Sequence, residues 1–276
     1  MERRRRDEVL ITATELADLL AAGEPVTILD VRWQLADPDG RQAYERGHIP
    51  GAVYVSLENE LSDHSVTGRG RHPLPSGRAV EAAARRWGIR AGRPVVVYDD
   101  WNRAASSRAW WVLTAAGIAA VRVLDGGLAA WTGDLEPGAI VPEPGDVSVL
   151  YPDLYAGALP TLTAEEAIAV ETLLDARAPE RFRGDVEPID PVAGHIPGAR
   201  NMPSTGLLAD DGTFLSDGEL AQRLAGSTRV GAYCGSGVTA SVLVVALATL
   251  GVEAALYPGS WSEWASDSAR PVTTGD

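Results

Sequence analysis

The sequence predicts an α/β protein made of two copies of one unit, each a parallel sheet with helices on both faces. Three observations predict it. The string Gly-His-Ile-Pro-Gly-Ala occurs unchanged at 47–52 and at 194–199, each time after an apolar run that ends in an aspartate and an arginine, Asp30-Val31-Arg32 and Asp175-Ala176-Arg177. Later landmarks recur in the same order: Val95 to Asp99 leads to Asp125-Gly126-Gly127 and Trp131, as Val230 to Cys234 leads to Pro258-Gly259-Ser260 and Trp264. Between these landmarks, short runs that are apolar at successive positions alternate with helical patterns, as strands buried on both faces require.

In chain order, the strand candidates of the first copy are Val26 to Val31, Val95 to Tyr98 and Val121 to Leu124. Those of the second are Leu173 to Ala176, Val230 to Tyr233 and Val252 to Tyr257. The helix candidates are Thr14 to Ala22, Arg78 to Trp87, Ala104 to Ala116, Thr163 to Thr172, Asp217 to Leu224 and Val238 to Leu250, with Thr14, Thr163 and Asp217 read as N-caps. The copies span residues 9–134 and 161–270, and the proline-bearing stretch 135–160 reads as a linker.

A length of 276 residues, 45% hydrophobic and 22% charged, is a globular composition with enough apolar side chains for a sizeable core. A net charge of −14 disfavours nucleic acid and anionic membranes, so Arg3-Arg4-Arg5-Arg6 reads as a frayed, solvated terminus. With no long apolar span and a single cysteine, no intramolecular disulfide can form, and the expected setting is a reducing cytoplasm. All 24 basic residues are arginine, which removes Schiff-base lysines and Walker-type phosphate binding. Four scattered histidines and one cysteine lack zinc-site spacing, and neither a metal nor an organic cofactor is expected. The duplication already supplies an interface within the chain, so a monomer is expected.

That single cysteine, Cys234, stands at the carboxyl end of a predicted strand, where α/β sheets place their ligands. Cys234-Gly235-Ser236-Gly237 follows, then a helix. Glycines flanking a serine let main-chain N–H groups turn inward, and the helix aims its positive end at the sulfur, a setting that favours a thiolate. A buried, inert cysteine is the plainer alternative. In the first copy Asp99 stands opposite Cys234, so only the second copy can perform thiol chemistry.

These residues resemble the tandem-domain rhodanese family of sulfurtransferases. The resemblance covers nearly the whole chain and includes both repeated strings, Arg108-Ala109-Trp110-Trp111, the Asp125-Gly126-Gly127 turn and Trp261-Ser262-Glu263-Trp264. Cys234-Gly235-Ser236-Gly237-Val238-Thr239-Ala240 is similar to the loop of 3-mercaptopyruvate sulfurtransferases, whereas thiosulfate enzymes usually carry Arg and Lys where this chain has Gly235 and Ser236. The resemblance implies two α/β domains of about five strands each, a site between them, and sulfur transfer from 3-mercaptopyruvate through a Cys234 persulfide, with release of pyruvate. The acceptor would be a thiol, such as thioredoxin or a low-molecular-weight thiol, or cyanide.

By the same resemblance, Ser236, His48 and Asp39 would relay a proton, with Asp37 close by. Arg177 and Arg181 would bind the donor, and Arg183 is a further candidate. N–H groups from Gly235 through Gly237 and Val238 to Thr239 would hold the persulfide. Because His195 occupies the position of His48 in the other copy, the simplest account is a structural imidazole in both, bonding backbone near the turn. Surface ion pairs are the corresponding alternative for the arginines. Trp261 and Trp264 read as packing.

Three other functions compete. A cysteine phosphatase needs an arginine six residues after the cysteine, and position 240 is alanine. A non-catalytic sulfur carrier would turn over once and stop. Thiosulfate, a compact dianion, would be helped by positive charge that this loop lacks.

Overall fold

The computed structural model describes residues 5–225 and 229–276. The first sheet contains β1 (Leu10–Ile11), β2 (Thr27–Asp30), β3 (Val53–Tyr54), β4 (Val95–Tyr98) and β5 (Val121–Leu124), all parallel, in the order β1-β5-β4-β2-β3. The second contains β6 (Thr172–Asp175), β7 (Arg200–Asn201), β8 (Val230–Tyr233) and β9 (Ala254–Leu256), again parallel, in the order β7-β6-β8-β9. The counterpart of β1 is reduced to one parallel bridge, Thr161 to Leu256, so the second sheet has four named strands against an expectation of about five.

The long apolar strands fall where the sequence places them. The two-residue strands β1, β3 and β7 are too short to show a period and were not anticipated. Two helix starts move by a capping residue. Thr12, not Thr14, caps Ala13–Ala21, and Ser216, not Asp217, caps Asp217–Arg223. In both, a glutamate three residues on returns the bond to the cap N–H, a reciprocal pair that fixes the start. Thr163 caps Ala164–Ala169 as read, but that helix ends early because Thr172 is already in β6.

The helices Ala104–Ala115 and Ala240–Thr249 pack on each other between the two sheets. Each lacks a polar face, as a helix surrounded by protein must: all of the first and nearly all of the second is buried. Each follows the loop at the end of a central strand, which brings the Asp99 and Cys234 loops to the boundary between the units. The stretch 135–160 lies along the first unit, with Glu136 paired to His48 through both main-chain bonds and with Val147 and Leu154 buried.

Arg6 overturns the expectation of a frayed arginine terminus. Its guanidinium donates to Asp217 and Asp125 and to the carbonyls of Phe214 and Leu215, tying the amino end to both units. Arg5 is exposed, and Arg3 and Arg4 lie outside the described residues.

Candidate active site

The repeated string is a strand-end brace in both copies. Tyr98 closes β4 and Tyr233 closes β8, and their hydroxyls accept the N–H of Ile49 and Ile196. The Nδ1 of His48 meets Tyr44 O at 3.0 Å and its ring stacks on Tyr44. The His195 Nδ1 meets Phe182 O at 2.8 Å and that ring stacks on Phe182. His48 is fully buried, and its bonds run to Tyr44 and Glu136 and not to Ser236 or Cys234. Asp39 accepts from the Tyr54 hydroxyl and the Arg41 N–H near the surface, and Asp37 pairs through its main chain with Gln34, so neither joins His48 or Ser236.

The Asp-x-Arg strand ends are equally symmetric. Arg32 holds the Asp30 carboxylate and Gly47 O, while Arg177 holds the Asp175 carboxylate and Gly194 O and lies over the Trp261 ring. Arg177 is 2% exposed, and its Nη1 stands 3.5 Å from Glu187 Oε2. Arg183 makes an exposed pair with Asp185.

The Cys234 thiol is buried at the end of β8. Its sulfur accepts the Gly237 N–H at 3.1 Å, and the cysteine N–H donates to Ser260 Oγ. Ser260 holds a left-handed φ of 53°, a strained value for a non-glycine residue at this turn. Gly237 has φ +78°, and a Cβ there would stand 2.5 Å from Pro258 O, so the turn admits glycine only. The Gly237 N–H is the main-chain donor to the sulfur among the described residues, fewer than the run from Gly235 to Thr239 suggested. Val238 is core, and the helix begins at Ala240 with Thr239 before it.

In the first copy the same turn is filled by its own anion. The Asp99 carboxylate accepts the N–H groups of Trp101, Arg103 and Ser106 and the Ser106 hydroxyl, and pairs with Arg103 at 2.9 Å.

Four first-unit residues that the sequence reading did not place in the site, Glu58, Arg71, His72 and Arg108, complete it. Ser236 Oγ lies 2.7 Å from His72 Nδ1, and His72 Nε2 lies 3.1 Å from Glu58 Oε1. Hydrogen bonding from His72, reinforced by Trp33 and His64, holds Glu58 at about 2, so it is a carboxylate at neutral pH. Burial pushes His72 down, against the pull of Glu58, which leaves a neutral imidazole protonated toward Glu58 and able to accept at Nδ1.

Behind this line, the guanidinium of Arg108 is fully buried and donates to the carbonyls of Leu61, His72 and Gly237. Burial pushes it down to about 10, so it remains a cation at neutral pH. At the mouth, Arg71 and Arg181 flank Gly235, with guanidinium nitrogens 3.2 to 3.9 Å from where its Cβ would stand.

One sequence signal separates these histidines. The pair that repeats bonds the carbonyls of its own copy, whereas His72 stands outside the repeated string, in a Gly/Pro-rich loop.

The arrangement can do thiol chemistry, with a buried sulfur, an adjacent hydroxyl–imidazole–carboxylate line and two guanidiniums at the entrance. The chain matches the rhodanese-like domain over residues 12–134 and again over 160–267. It is 64% identical, over 98% of both chains, to a Mycobacterium tuberculosis protein provisionally named thiosulfate sulfurtransferase SseB. It is 44% identical, over 97% of this chain and 98% of the other, to a Pseudomonas aeruginosa protein provisionally named 3-mercaptopyruvate sulfurtransferase. The crystal structure of the Escherichia coli 3-mercaptopyruvate enzyme SseA superposes with a TM-score of 0.79 at 33% identity, over 92% of this chain and 98% of that one. Fold, duplicated units and buried thiol together make this chain a member of the rhodanese family, a tandem-domain sulfurtransferase.

Proposed function

We propose that the protein moves sulfur from 3-mercaptopyruvate through a Cys234 persulfide to a thiol or to cyanide. The Cys234 thiolate attacks the donor sulfur. An S–S bond forms and the C–S bond breaks, its electron pair passing into the enolate of pyruvate. The donor's S–H proton goes through Ser236 to His72, whose imidazolium is stabilised by Glu58, and returns to the enolate carbon, so no net proton is exchanged. The acceptor then attacks the outer sulfur and restores the thiolate.

The line from Ser236 through His72 to Glu58 carries this reading, because only a carbon leaving group needs protonation. Arg181 and Arg71 supply the carboxylate contacts, and Gly237 holds the anionic sulfur. Cys234 is 1% exposed, which favours a small thiol or an extended cysteine-bearing loop, as on thioredoxin, as acceptor. A monomeric cytoplasmic protein, with units at 9–134 and 161–270, belongs to the same reading, and among the described residues no helix is long and apolar enough to cross a membrane.

Thiosulfate is the second reading, favoured by the name of the M. tuberculosis relative. Parallel kinetics on both donors decide: kcat/KM should be higher for mercaptopyruvate, and the reverse order rejects this donor. Wild-type protein given donor without acceptor should gain one sulfur atom in intact mass and Cys234→Ser none. An unmodified wild type rejects the covalent scheme.

A further inference from the structure

The two guanidiniums at the mouth are already neutralised from within. Asp190 accepts from Arg71 across the unit boundary in a very short contact, and from Arg181 at 3.4 Å. Glu187 accepts from Arg181 at 2.6 Å and from the N–H groups of Ile189 and Asp190, which fixes the turn that presents Asp190. Both carboxylates are buried, at 4% and 3% exposure. Nε of Arg71 and Nε of Arg181 donate to no other described residue, whereas Oε2 of Glu187 faces Nη1 of Arg177 at 3.5 Å. Both N–H groups are thereby left to donate to a polar ligand.

A carboxylate bridging two guanidiniums beside Gly235 occupies the seat that a donor's anionic end must take. We propose that Asp190 is a specificity-determining residue, an internal carboxylate that competes for Arg71 and Arg181 and discriminates by charge against dianionic donors. The inference rests on the assignment of this mouth as the donor site and adds how it chooses. Coulomb energy is linear in the ligand's charge, so a fixed negative charge penalises a dianion twice as much as a monoanion at the same place. In affinities, if removing that charge strengthens monoanion binding by a factor f, it strengthens dianion binding by roughly f squared. Asp190 thereby favours an α-keto monoanion over thiosulfate, although the loop residues Gly235 and Ser236 carry no charge.

The test uses ligands that are not turned over. In a Cys234→Ser background, pyruvate and sulfate are titrated calorimetrically into protein with and without Asp190→Asn. Pyruvate should bind several-fold more tightly in the Asn variant, and sulfate by about the square of that factor. Asp190→Glu, which keeps the charge, should keep the parent's sulfate-to-pyruvate ratio. Arg71→Gln removes a cation instead and should weaken sulfate more than pyruvate, a readout that survives if the Asn variant fails to fold. Equal gains for both ligands, no gain, or no measurable binding of either anion overturns the proposal. A wrong donor assignment would appear in the kinetics of the wild type and leave these affinity ratios as stated, while failure here leaves the persulfide chemistry standing.

Discussion

Arg108→Met tests whether the unit without a nucleophile builds the site. The guanidinium makes four N–H···O contacts of 3.0 to 3.3 Å to the carbonyls of Leu61, His72 and Gly237. Methionine fills similar volume and donates nothing. The carbonyls of Leu61 and His72 lose their donor while Gly237 O keeps the Ser241 hydroxyl, at about 1–3 kcal/mol for each of the two, hence about 2–6 kcal/mol in total. Against this, the folded chain no longer buries a cation without a carboxylate partner, which returns several kcal/mol. The net expectation is a loss of about 1–2 kcal/mol, or a melting temperature lower by roughly 2–8 °C for a chain of this size. Because Gly237 holds the sulfur and His72 faces Ser236, displacing either carbonyl by about 1 Å should also lower kcat/KM by on the order of a hundredfold. Urea unfolding together with steady-state pyruvate release measures both. A variant within about 0.5 kcal/mol of wild type and within about threefold in kcat/KM would refute the reasoning, since surface changes have effects of that size.

Ser236→Ala and His72→Gln should each lower kcat for mercaptopyruvate by about 10² or more while leaving thiosulfate turnover within a few-fold, because sulfite departs without needing a proton on carbon. Equal losses on both donors would assign the line to loop structure instead. The pH dependence of stability follows from Glu58, held at about 2 against an ordinary 4.5 by His72, Trp33 and His64. A depressed carboxylate contributes stability that is fully present above its unfolded value and is lost as pH falls through its folded one. The advantage of wild type over Glu58→Gln should therefore be complete near neutrality, begin to shrink below about 4.5 and vanish near 2, as read by denaturant unfolding across that range. An advantage that does not depend on pH would mean that Glu58 acts by packing alone.

The long elements were legible because their signals are local. Val95 to Tyr98, Val121 to Leu124 and Val230 to Tyr233 are apolar at every step, and a strand covered on both faces is the arrangement that buries them all. The duplication was legible from identity of strings, and the nucleophile from the uniqueness of Cys234 between a strand and a helix. Periodicity fails at β1, β3 and β7, where two residues define a strand only through its neighbour. Capping boxes at Thr12 and Ser216 were written in the sequence and overlooked.

His48 shows the limit of a local signal. A histidine in a repeated string attracts a catalytic reading, but its Nδ1 and ring are taken by the helix just before it in both copies. By itself the sequence determined the sheet type, the two units, the family and the sulfur that reacts, because each depends on residues adjacent in the chain. Only the tertiary structure decided which groups gather around the cysteine loop: Glu58, Arg71, His72 and Arg108 come from one unit, Arg181 and Asp190 from the other. The physical reason is that two buried helices pack across the boundary and bring together residues separated by more than a hundred positions, and no pattern along the chain encodes a contact of that kind.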